Sequence, residues 1–113
     1  MPGKHNVRVT RAAEDDATEI HDHIARDSPR AALEWLGELE RQVASLERFP
    51  LRFPVIPEAR DLGVEYRHLV YGNYRTVYRV EGSTVWIVRI VHGARLLDTS
   101  LLEGEGGRGL IAP

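Results

Sequence analysis

The chain of 113 residues contains no cysteine. That excludes disulfides, thiol nucleophiles and thiolate metal sites, and it suits a reducing compartment. No apolar run approaches the roughly 20 residues that a membrane-spanning helix needs. The opening stretch MPGKHNVRVTRAAEDD lacks the apolar centre of a secretory signal. A soluble, cytoplasmic protein is the expectation. Metal-ligand spacing is also missing. His21 and His23 stand two apart on a helix-like stretch and point to different sides, so no metal or other cofactor is expected. Nor is there an excess of positive charge: the net charge of −2 argues against a general nucleic-acid binder.

What is present is the balance of a single globular domain, with 42% hydrophobic and 28% charged residues and a length that suits one core. Charge is unevenly placed. Acids outnumber bases from Arg11 to Asp61, whereas between Gly63 and Arg95 Arg67, Arg75, Arg79, Arg89 and Arg95 face only Glu65 and Glu81. The surface is expected to be bipolar.

HNVRVT, His5 to Thr10, alternates and reads as a short first strand. Thr10 is a helix N-cap, and Ala13, Ala17, Ile20 and Ile24 recur at helical spacing to about Asp27. Ser28-Pro29 restarts the chain as a second helix carrying Ala32, Leu36, Leu39, Val43 and Leu46, which ends near Arg48. Leu51 to Leu62, with two prolines, reads as a loop. Three strands follow: Val64–Tyr71, Tyr74–Val80 and Thr84–His92, with Gly72-Asn73 as a tight hairpin turn. Residues 1–98 form the expected domain. Residues 99–113, with their EGEGGRG stretch, form the expected flexible tail. The order β-α-α-β-β-β predicts an α+β fold, a helical hairpin packed on one face of a small, mostly antiparallel sheet.

A hairpin turn at Gly72-Asn73 puts Leu69, Tyr71, Tyr74, Thr76, Tyr78 and Val80 on one sheet face. Tyr66, His68, Val70, Arg75, Val77 and Arg79 fall on the other. For the last strand a one-residue slip would turn over every side chain. Placing Arg89 in a core unpaired would cost several kcal/mol. Trp86, Val88, Ile90 and His92 are therefore expected toward the helices. Arg89 and Arg95 are then expected beside Arg75 and Arg79 on an open basic face. Arg67 is expected to pair structurally with Glu58 or Asp61.

The helical hairpin, FPLRFPVIPE, YRHLVYGNYRTVYRV and the closing VWIVRIVHGAR together resemble the ParE/RelE toxins of bacterial type II toxin–antitoxin systems, from about Val7 to Asp98. The resemblance implies a small cytosolic toxin neutralised by a cognate antitoxin. RelE-like members cleave messenger RNA on the ribosome, and ParE-like members inhibit DNA gyrase. Arg75 matches the family arginine in YRTVY, and Arg95 the arginine after the last strand. The lysines that RelE-like toxins place before the turn are replaced by Tyr66 and His68, and a tyrosine past Arg95 is missing. The longer helical hairpin and the HGAR ending favour a ParE-like toxin. Its expected target contacts are Arg75, Arg79, Arg89, Arg95, Tyr66 and His68. Under the alternative, a ribosome-dependent endonuclease, Arg75, Arg95 and His92 would be the catalytic candidates. A degenerate, non-toxic interaction module is the third possibility.

Overall fold

The computed structural model describes residues 4–57, 62–93 and 102. Among the described residues its elements include β1 (Asn6–Val9), α1 (Arg11–Asp27), α2 (Pro29–Ser45), a 3-10 turn (Pro50–Arg52), β2 (Arg67–Tyr71), β3 (Tyr74–Glu81) and β4 (Thr84–His92). Local chemistry sets the helix ends. Thr10 Oγ1 accepts from the Ala13 N–H at 3.2 Å and donates to the Val88 carbonyl at 3.1 Å, so one side chain caps α1 and ties it to β4. Ser28 serves both helices. Its N–H closes α1 on the Ile24 carbonyl at 3.0 Å, and its Oγ accepts from the Ala31 N–H at 3.1 Å. Pro29 then opens α2, where no intrahelical donor is needed. Ala17, Ile20 and Ile24 of α1 meet Trp35, Leu36 and Leu39 of α2.

The strand order is β1-β4-β3-β2, with β1 parallel to β4 and the other pairs antiparallel. The two helices pack on one side of this mixed sheet. Ala13 and Leu46 meet Leu69, Tyr78, Val85 and Ile87, and Trp35 and Leu39 meet Ile90. β2 starts at Arg67, three residues later than alternation suggested. Among the described residues the proline-rich loop beside it contributes one bridge, Val55 to Arg67.

Two expectations about the faces are corrected. The first concerns β4. Val77 pairs with Arg89 but Tyr78 pairs with Ile87, so Val88 is an extra residue in a β-bulge. The strand changes face at that point. Val85 and Ile87 point to the helices below the bulge, and Ile90 does so above it. Val88 instead packs with Val77 on the opposite face, and Trp86 lies against that same cluster. Trp86 and Val88 therefore do not face the helices. Both registers are used, one in each half of the strand.

The second correction concerns the face expected to be open. It holds a second apolar layer, in which Tyr66, Val77 and Val88 pack with Ile56 from the loop and with Leu102. Apart from Leu102, residues 99–113 lie outside the described residues, so the expected tail is described only at that position. Among the described residues no helix is long and apolar enough to cross a membrane.

Candidate functional site on the far face of the sheet

The face turned away from the helices carries most of the residues singled out above. The two-residue turn at Gly72-Asn73 pairs Val70 with Arg75 and His68 with Val77, making His68 and Arg75 diagonal neighbours on that face. The Arg75 guanidinium reaches the His68 ring, Nη1 to Nδ1, at 3.2 Å. A guanidinium can only donate. In this contact the guanidinium is the donor and His68 Nδ1 the acceptor. Arg75 itself is buried, so it is not an exposed arginine of an open surface.

The end of β4 is fastened beside this pair. The Gly93 N–H donates to the Asn73 carbonyl at 2.6 Å, and a side chain at 93 would begin 3.5 Å from Arg75 Cγ. The strand thus exits next to Arg75 and the hairpin turn. Arg95, two positions further on, lies outside the described residues.

The other candidates are distributed differently. Tyr66 is buried in the second apolar layer. Arg79 is also buried and donates to Glu81 Oε1 at 2.6 Å; its guanidinium lies 5.8 Å from the Trp86 ring, with that of Arg8 at 5.7 Å. Cross-strand pairing of Arg8 with Trp86 and of Trp86 with Arg79 produces this row. Sequence alternation missed it because it assigned Trp86 to the helix side.

Arg89 is a correction: it does not join the other arginines. Its Nε and Nη2 donate to the two oxygens of Asp16 on α1, at 2.7 and 2.8 Å. Asp16 Oδ2 also accepts the Ile90 N–H at 2.9 Å. That hydrogen bond to Asp16, the largest influence, holds the Arg89 guanidinium above its ordinary pKa, against desolvation by burial. No local pattern links Asp16 to Arg89, 73 residues later in the chain. His92 lies on the helix side, as expected, but at the exposed end of the strand. Its ring meets Tyr74 edge-on at 5.4 Å, and Tyr74 meets Trp35 at 5.7 Å.

Arg67 bonds to the Leu51 and Phe53 carbonyls at 3.2 and 2.7 Å and to Glu65 at 3.2 Å. Its expected partners Glu58 and Asp61 lie outside the described residues. Beneath it the Tyr78 hydroxyl donates to the Pro50 carbonyl. Burial pushes the Tyr78 phenol up to about 12, against the pull of Arg67 and Arg52.

Residues 7–97 match the family described as the ParE toxin of the type II toxin–antitoxin system, parDE. The chain belongs to the ParE toxin family. Two solved structures resemble this ParE-family chain. One, described as a chromosomal ParDE toxin–antitoxin system from P. aeruginosa, is 26% identical with a TM-score of 0.64, over 79% of this chain and 96% of that one. The other, the toxin–antitoxin complex RelBE2 from Mycobacterium tuberculosis, is 27% identical with a TM-score of 0.56, over 84% of this chain and 98% of that one. No curated protein matches. The β1-α1-α2-β2-β3-β4 order and the helices packed on one sheet face are those of ParE/RelE-like toxins.

Proposed function

We propose that this ParE-family toxin acts by binding and inhibiting a protein target, DNA gyrase, in the cytoplasm, and that a cognate antitoxin neutralises it. The antitoxin's C-terminal segment would fold on the toxin as it binds. The antitoxin half is supported by the two similar structures, which are described as a ParDE system and a RelBE2 toxin–antitoxin complex.

The His68–Arg75 contact carries the choice of a binding mechanism over RNA cleavage. Attack by a 2′-oxygen needs a base and an acid on either side of the phosphate, with cations upon it. Here the position beside the family arginine holds a histidine whose Nδ1 is already an acceptor. His92, the other candidate base, stands on the opposite side of the sheet, edge-on to Tyr74. Arg75 and His68 on the far face, and Arg95 two positions beyond Gly93 in the sequence, are the proposed contacts to the target. Arg79 is committed to Glu81 and Arg89 to Asp16, and Tyr66 supports the site from within the core.

The test uses purified toxin in two assays. Supercoiling by gyrase should fall with increasing toxin and recover on adding the antitoxin. In a translating extract, messenger RNA should stay intact. Codon-positioned cleavage on ribosomes together with unimpaired gyrase would replace this reading with the endonuclease one.

A further inference from the structure

The loop RFPLRFP repeats a tripeptide, Arg48-Phe49-Pro50 and Arg52-Phe53-Pro54, and the fold uses the two copies in opposite ways. Phe53 packs against the core cluster of Leu46, Leu69 and Tyr78, with the Arg52 guanidinium 4.6 Å over its ring. Phe49 is 69% exposed and adopts a left-handed backbone, φ 50° and ψ 53°, which a large side chain preceding proline resists. The conformation is held in place. Arg52 Nη1 donates to the Arg48 carbonyl at 2.6 Å and to the Phe49 carbonyl at 3.1 Å, while its Nη2 reaches Ser45 Oγ at 3.0 Å. The clamp keeps a phenylalanine out in water in an unfavourable backbone state.

Phe49 has company. Of the six large hydrophobic residues exposed among those described, Phe49, Leu51 (61%), Val55 and Val70 (58%) belong to this loop and to the strand it borders. Their neighbours on the chain are basic: from Arg48 to Pro57 there are two arginines and no acid. Neither Arg48 nor Arg52 has a carboxylate partner among the described residues.

The backbone adds a third feature. Val55 bridges Arg67, the Ile56 N–H donates to the Tyr66 carbonyl, and the His68 N–H donates to the Pro54 carbonyl. The loop thus covers the lower part of β2. At Pro54 it turns away into the Pro50–Arg52 turn. Tyr71 and Tyr74 close the hairpin, so Leu69 and Tyr71 bond inward to β3 while His68 and Val70 point their backbone groups outward. The His68 N–H is taken by the loop, and the Val70 N–H and carbonyl have no partner among the described residues. An open strand edge is a template for another strand.

We propose that the upper edge of β2, together with Phe49 and Leu51, is a docking surface for an extended protein segment that carries adjacent apolar residues flanked by acidic ones. Its backbone would pair with Val70. Its apolar side chains would cover Val70 on one face and Leu51 and Phe49 on the other, as strand alternation requires. Its carboxylates would meet Arg48 and Arg52. A second copy of this chain fits poorly, because edge-to-edge pairing about β2 would bring Arg48, Arg52 and Arg67 against their own copies. The inference does not depend on whether the toxin's target is gyrase.

The experiment uses the full chain, isotopically labelled for amide NMR, titrated with a capped synthetic hexapeptide in which two adjacent valines are flanked by two glutamates on each side. Shift changes should concentrate at Leu69–Tyr71 and Leu51. Replacing the peptide's glutamates with lysine, or its valines with serine, should abolish them. Phe49→Ser and Leu51→Ser, both at exposed positions, should each weaken binding about tenfold. Val70→Pro removes the outward donor at an edge position that tolerates proline, and it should abolish binding while the unliganded spectrum stays folded. No shift at millimolar peptide, equal binding of the lysine peptide, or shifts on the β1 edge at Asn6–Val9 would each overturn the proposal. If Val70→Pro fails to fold, the two serine variants decide alone, and full affinity in both would also overturn it.

Discussion

Removing the carboxylate of Asp16 should destabilise this protein more than any other single change on α1's polar side. Asp16 accepts three hydrogen bonds, two from the Arg89 guanidinium and one from the Ile90 N–H just past the bulge. The side chains are only 12% and 21% exposed, so the pair is largely shielded from water. Breaking a buried ion pair by deleting one partner costs about 3–5 kcal/mol, because the other charge is stranded. Residual exposure of Arg89 reduces that figure, and loss of the acceptor for the Ile90 N–H adds about 1 kcal/mol or more. Asp16→Ala should therefore cost about 3–4 kcal/mol, which for a domain this size lowers the thermal midpoint by roughly 12–25 °C. Urea denaturation of the variant measures it directly. Asp16→Asn, which keeps an acceptor for Ile90 but loses the charge, should cost less. The double variant Asp16→Ala, Arg89→Met should recover part of the loss, since no stranded charge remains. A cost for Asp16→Ala within about 0.5 kcal/mol, the range of ordinary surface substitutions, would refute this account of the α1–β4 junction.

Three further outcomes are expected. Tyr78 has its pKa raised to about 12 in the folded state, so the unfolded chain ionises first. Its contribution is intact below pH of about 10 and is lost as pH rises toward 12; urea midpoints should fall across that window, and less steeply in Tyr78→Phe. Phe49→Gly should stabilise the protein by about 0.5–1 kcal/mol in urea denaturation, because it relieves the left-handed backbone and gives up little burial. Ser28→Ala should cost about 1 kcal/mol, the usual loss for an N-cap, read as a lower thermal midpoint.

Much of the fold was legible because its boundaries are written in short-range chemistry. Thr10, Ser28-Pro29 and Gly72-Asn73 act within a few residues, and each appears where its side-chain or backbone preference demands. The helix stripes were equally plain. What escaped was anything settled over long separations. In Val85–Val88 all four side chains are apolar, so alternation cannot reveal a bulge. The charge penalty used to fix the register assumed that Arg89 had no partner, and the partner lies 73 residues earlier on another element. The second apolar layer draws on Ile56 from a proline-rich loop and on Leu102, neither of which belongs to a periodic pattern. At the candidate site, the closeness of His68 and Arg75 followed from the turn alone. The burial of Arg75 and Arg79 did not, since it depends on that second layer.

The extra residue in β4 makes the strand behave like a message read in two frames. Ahead of Val88 one parity of positions serves the helices, and behind it the other parity does. Deleting Val88 would let Ile87 and Arg89 follow one another opposite Tyr78 and Val77, so the residues behind it would keep their faces and the strand would become regular. The loss would fall on the second apolar layer, which Val88 helps to fill. A ParE-family chain without this insertion would read as one unbroken alternation, and aligning it through this strand without a gap would pair helix-facing residues with far-face ones.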